Sequence, residues 1–161
     1  MDNILEPKDT HSFVEIENND FELFIQINPK GIMCIPRNIG TDSPQSLLEP
    51  DTFRFAKWLK LKNEDVNIAI GKADGIKSLH SHDFWMPIVF LSNDVTFQVF
   101  LGLVSNYIYD CLKGALKHDK SNVHLEVYYK DSNKTKKFTY SGSIEGLNII
   151  IKKINLNKFG E

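Results

Sequence analysis

Cysteine is scarce in this chain of 161 residues, Cys34 and Cys111 being the only two. Two thiols in dissimilar contexts make neither a disulfide framework nor a paired zinc motif, so an apolar core has to hold the fold and a reducing cytoplasm is expected. Cys111 falls on an apolar helix face and reads as a small buried hydrophobe. Cys34 has no nearby histidine or basic cluster to lower its pKa, so neither thiol is expected to act as a nucleophile. A Gly-rich phosphate loop, a nucleophile elbow and a paired Cys motif are also missing, which leaves nucleotide hydrolysis and acyl transfer without a recognisable set of residues.

Charge of one sign is lacking too. Nineteen Lys and Arg stand against 21 Asp and Glu, a net charge of −2, which gives no overall pull toward nucleic acid or anionic lipid. The charge is unevenly spread, with seven acids against Lys8 alone in the first 22 residues and a lysine excess after Asp110. No secretory n-region or apolar h-region precedes Asp2, Asn3 and Glu6, in keeping with the cytoplasmic expectation. No long unbroken apolar run occurs: the most apolar segment, about 94–113, is interrupted by Gln98, Ser105, Asn106 and Asp110, so it reads as a core helix and not a membrane span. There is no internal repeat and no low-complexity run.

What is present suffices for one core, at 42% hydrophobic residues. The expected organisation is a flexible N-terminal arm over 1–10 and a single α+β domain over 11–157. Residues 13–17 and 21–27 read as a hairpin about Asn18-Asn19-Asp20. Ile32–Ile35 reads as a short strand, Asp51-Thr52 as the cap of a helix to Leu61, and 66–70 as a strand. Phe84–Leu91 is an apolar strand feeding the long central helix, with Ser92, Asn93 and Asp94 as capping candidates and Gly114 at its far end. Phe97, Phe100, Leu101, Leu103, Val104, Tyr107, Ile108, Cys111 and Leu112 cover half of that helix. Val123–Lys130 and Lys136–Tyr140 pair about the turn 131–134. Val123, Leu125, Val127 and Tyr129 face inward, against His124, Glu126, Tyr128 and Lys130 on a wet side. Ser143 caps a C-terminal amphipathic helix, about 143–154, carrying Ile144, Leu147, Ile150, Ile151 and Ile154. The order of elements predicts a mixed or antiparallel sheet packed against the two longer helices.

The sharpest chemical candidate is His80-Ser81-His82-Asp83. An HxH pair in an extended segment sets both imidazoles on one side, and the adjacent carboxylate can complete a divalent-metal site. Asp110, in the last turn of the central helix, opposes the dipole and is expected to pair with Lys113. Tyr107, Tyr109, Tyr128, Tyr129 and Tyr140 with Lys130, Lys134, Lys136 and Lys137 supply the aromatic and basic groups of a nucleic-acid-binding sheet. Alternation turns Tyr129 inward and acids intervene, so a solvated lysine hairpin is the reading taken.

Tyr107-Ile108-Tyr109-Asp110 with Leu112-Lys113-Gly114, then Val123-His124-Leu125-Glu126-Val127-Tyr128, and then Phe138, Tyr140 and Glu145-Gly146-Leu147, form a pattern over 94–147. It resembles uncharacterised bacterial proteins and the small effector-associated domains of bacterial conflict systems. The resemblance covers about a third of the chain and implies a protein-interaction module without catalytic residues, with no site residue carried over. The expected function is therefore a non-enzymatic interaction or adaptor domain of a bacterial, defence-associated intracellular system, its partner another protein or a second copy of itself. The alternative is a metal-dependent hydrolase or nuclease using His80, His82 and Asp83.

Overall fold

In the computed structural model the described residues are 10–16, 30–38, 46–62, 65–78, 83–92, 95–113, 121–131 and 134–160. They form an α+β fold. The strands are β1 (Thr10–Ile16), β2 (Ile32–Ile35), β3 (Arg37–Asn38), β4 (Ser46–Leu48), β5 (Ile68–Ile70), β6 (Gly75–Ile76), β7 (Phe84–Leu91), β8 (Asn122–Asp131) and β9 (Lys134–Ser143). The helices are α1 (Thr52–Leu61), α2 (Phe97–Leu112) and α3 (Ile144–Gly160). The expected arm residues 1–9, the strand 21–27 and the cap Gly114 lie outside the described residues; Thr10, assigned to the arm, already belongs to β1. Among the described residues no helix is long and apolar enough to cross a membrane.

The main sheet is mixed, in the order β1-β9-β8-β7-β2-β5. β7 and β8 run parallel, and so do β2 and β5, while the remaining neighbours are antiparallel. A parallel pair needs a crossover, which α2 supplies between β7 and β8. A second, three-stranded sheet, β3-β4-β6, was not foreseen from the sequence. In it Gly75 of β6 pairs with Leu47 of β4.

The three helices among the described residues contribute to one core. Phe55 and Leu59 of α1, Phe100, Leu101, Val104 and Tyr107 of α2, and Leu147 and Ile150 of α3 are buried with Ile32, Cys34, Met86, Val89, Val123, Leu125, Val127 and Phe138 of the sheet. Full burial of an aromatic or aliphatic side chain contributes about 1.5–3 kcal/mol, so this set dominates folding. A second apolar cluster, Met33, Ile35, Ile88 and Phe90 with Ala69 and Tyr128, contains no helical residue and lies on the opposite face.

The helix ends depart from expectation in instructive ways. α2 begins at Phe97 because Thr96, in an extended conformation, accepts the Val99 N–H on its hydroxyl at 3.1 Å. Ser92 is instead spent on the Gly31 carbonyl at 3.0 Å, and Asn93 and Asp94 lie outside the described residues. Val95 before the cap and Phe100 three residues beyond Phe97 are both buried, the positions of a hydrophobic staple that sets the entry angle. Ser143 caps α3 as expected, its hydroxyl accepting the Gly146 N–H at 2.9 Å, but the helix runs on to Gly160. Asp51 occupies the cap position of α1 without capping it. Its buried carboxylate accepts from Trp85 N at 2.7 Å, from the Tyr107 hydroxyl at 2.9 Å and from Arg54 Nε at 3.0 Å, which ties α1, α2 and β7 together.

Candidate functional site

The face of the sheet turned away from the helices is built from three cross-strand rows, fixed by register. Trp85, His124, Ser141 and Thr10 form the first, and Ile35, Ile88, Glu126, Thr139 and Ser12 the second. Ala69, Met33, Phe90, Tyr128, Lys137 and Val14 form the third. Residues directly paired across strands project to the same side, so this face is apolar toward β2 and polar toward β9. One irregularity makes the first two rows possible. On β7 the register slips between Trp85 and Ile88, which oppose His124 and Glu126. The extra residue lets an odd and an even position share a face, and Pro87, which has no N–H to give a ladder, sits inside the slip.

An open groove of about 190 Å³ is lined by polar and apolar side chains together: Glu49, His124, Glu126, Thr139 and Ser141 with Trp85, Met86, Ile88, Leu125 and Tyr140. The His124 ring lies flat on the Trp85 indole, centroids 3.7 Å apart and planes 14° from parallel. Lys77 Nζ lies 5.2 Å from the indole centroid and 3.4 Å from Glu49 Oε1. Glu126 accepts from the Tyr128 hydroxyl at 2.8 Å and faces Lys137 Nζ at 3.6 Å. Ser12 Oγ and Thr139 Oγ1 are 2.7 Å apart.

Within this surface one chain of hydrogen bonds has the donor and acceptor types of an activated hydroxyl. Asp83 Oδ2 is 2.9 Å from His124 Nε2, and His124 Nδ1 is 2.8 Å from Ser141 Oγ. The other Asp83 oxygen, Oδ1, accepts the Asn122 N–H at 3.1 Å, which pins the start of β8 to the start of β7. Asp83 and His124 are each roughly a fifth exposed, at 22% and 23%.

Of the expected metal ligands, His80 and His82 lie outside the described residues. Asp83, the third, directs its carboxylate to β8. The expected partner of Asp110, Lys113, contributes only a minor through-space attraction, and the main partners are others. The Asp110 carboxylate accepts Trp58 Nε1 at 2.8 Å and Lys62 Nζ at 2.9 Å, both from the end of α1. The Trp58 hydrogen bond first, and then Lys62, hold it below the ordinary carboxylate range. Burial pushes the Cys34 thiol up to about 12, and burial also raises Cys111, in agreement with two unreactive cysteines.

His124 and Glu126 had been placed on the wet face of β8, but Ser141, Trp85 and the buried Glu49 were not singled out. A signal for Ser141 existed. Once Asp131 pairs with Lys134, opposed positions share one numerical sum, which sets His124 opposite Ser141. Comparison of the chain with protein-family models, with curated proteins and with solved structures finds no match to any of them.

Proposed function

We propose that this protein is an interaction or adaptor domain that recognises a protein partner through the polar half of its outer sheet face. The observation that carries the reading is the segregation of that face: the helices pack on the other side, while three carboxylates, two lysines and His124 surround the groove in matched pairs. Pre-formed pairs of opposite charge at a rim give register and selectivity to a docking surface more than raw affinity. The resemblance of 94–147 to effector-associated domains supports the same reading and adds a bacterial, defence-associated context. The rival metal-dependent hydrolase or nuclease would have to share Asp83, both of whose oxygens are already engaged.

Affinity capture from the host with three variants tests the proposal. Thr139→Arg and Glu126→Lys alter the outer face; Tyr109→Arg alters a position on α2 that is 68% exposed and away from it. Partners recovered with the parent and with Tyr109→Arg, and lost with both outer-face variants, are expected. Identical recovery by all of them, from a protein that sediments as a strict monomer, would sink the reading.

A further inference from the structure

The proton sense of the Asp83–His124–Ser141 chain gives the outer face a chemistry that recognition does not require. A carboxylate only accepts, so the hydrogen between His124 and Asp83 is carried by Nε2. A neutral imidazole protonated at Nε2 has a bare Nδ1, which only accepts, so the Ser141 hydroxyl donates to it. The Trp85 indole lies flat against one face of the ring and favours this plane. Ser141 therefore has a base in contact, and that base is oriented by a third group, the arrangement that activates a hydroxyl nucleophile. The groove beside it gives a reactant access to the hydroxyl.

We infer that Ser141 is an activated nucleophile that takes an acyl group from an activated ester bound in the groove. This goes beyond the interaction reading and does not depend on it. In the first step the Ser141 Oγ–acyl carbon bond forms and the bond to the leaving oxygen breaks. The hydroxyl proton passes to His124 Nδ1 and on to that leaving oxygen. Water then attacks the acyl carbon, gives a proton to Nδ1, and the acid departs as Oγ recovers the proton, so ester and water become acid and alcohol.

The surroundings of Ser141 set the class of donor. It lies within β9, paired with His124 on one side and Thr10 on the other, and not at a strand-to-helix elbow that would aim backbone N–H groups at an oxyanion. One oxyanion donor is worth about 10²–10³ in rate, so amides are out of range and aryl esters, whose leaving groups depart easily, are within it.

A fluorophosphonate probe and an aryl acetate, each followed by peptide mapping, test the inference on the unaltered protein. The probe forms an O–P bond and releases fluoride. Ser12, exposed on β1, serves as the internal reference. Labelling of Ser141 roughly 100-fold faster than Ser12 is expected, the contribution of a positioned base. Acetyl from the aryl acetate is expected on the same peptide. His124→Gln should remove that advantage. The positioning role of Asp83 is read from the ¹⁵N signals of the His124 ring: an Nε2–H tautomer in the parent, and a mixed population with slower labelling in Asp83→Asn. Labelling of Ser141 no faster than Ser12, labelling indifferent to His124→Gln, or an Nδ1–H tautomer in the parent would each overturn the assignment. The first and last need no variant to fold.

Discussion

Trp85 and Asp51 are joined by two hydrogen bonds of opposite sense: Asp51 N donates to the Trp85 carbonyl at 3.1 Å, and Trp85 N donates to Asp51 Oδ2 at 2.7 Å. The pair fastens the start of α1 to the slipped segment of β7, and so holds the backbone beneath the indole on which His124 lies. Asp51→Ala strands two donors, Trp85 N–H and the Tyr107 hydroxyl. Each costs roughly 1–3 kcal/mol when left unsatisfied in the interior. A loss of roughly 2–6 kcal/mol is expected from urea midpoints at unchanged m-value. Arg54→Ala should cost less, about 1–2 kcal/mol, because the guanidinium is largely in solvent and Asp51 keeps its other two donors.

Two glycines should respond in opposite directions to alanine. Gly31 has φ +82, and a Cβ there would fall 2.1 Å from the Asn67 carbonyl oxygen. That oxygen accepts the Ile32 N–H at 2.7 Å, so the clash would prise β2 from β5. Gly31→Ala should cost more than the ~1–2 kcal/mol of the left-handed conformation alone. Gly102, in the middle of α2, has nothing within 4 Å of a Cβ. Gly102→Ala should stabilise by up to about 1 kcal/mol, the helix-propensity difference. Melting temperatures of the two single variants decide both.

The elements whose residues repeat with a clear period were legible, and so was the local β8–β9 hairpin, whereas the pairing of strands distant in sequence was not. The Val123–Tyr129 alternation gave β8 its faces, and the spacing Ile144, Leu147, Ile150, Ile151, Ile154 gave α3 its stripe, because burial on one side writes a period into the chain. The parallel pairing of β7 with β8 depends on where α2 lays the chain down, which no local pattern records. Asp51 shows the same limit from the other side. Its type and place read as a helix cap, yet a carboxylate takes the stronger donors that the tertiary structure brings, here Tyr107, 56 residues away. The Asp83–His124–Ser141 chain joins three elements, so the sequence pointed to Asp83 for another reason and passed over its partners.

The pH dependence of stability should carry two separable slopes. Trp58 and Lys62 hold Asp110 below its ordinary value, so in the window just under pH 4 the unfolded chain binds more protons than the folded one. The stabilisation is complete above that window and is lost as pH falls through the depressed pKa; Asp110→Asn should flatten this acid slope. Burial first, and then the Asp51 charge, raise Tyr107 above its ordinary value near 10. Its contribution is complete below about pH 10 and is lost above it, where the unfolded chain sheds the phenol proton first. Tyr107→Phe should flatten the alkaline slope and leave the acid one alone. Urea unfolding across a pH series reads both, and coincident curves for parent and variants would contradict the assignment.

The apolar face of α2 is covered from within the chain. Phe100 and Val104 are fully buried, and Leu147 and Ile150 of α3 belong to the same core. Ser105 and Asn148 meet across the two helices at 3.3 Å. Removing either core side chain leaves a cavity that packed neighbours only partly fill, so Phe100→Ala and Val104→Ala should each cost roughly 2–5 kcal/mol. Gln98→Ala and Ser105→Ala, at partly exposed positions, should cost well under 1 kcal/mol. A size measurement beside each thermal melt separates a core from a docking surface. With the face covered, Phe100→Ala should lower the melting temperature and leave any self-association as it was. A Phe100→Ala protein with an unchanged melting temperature and weakened self-association would mean that α2 presents this face to a second chain.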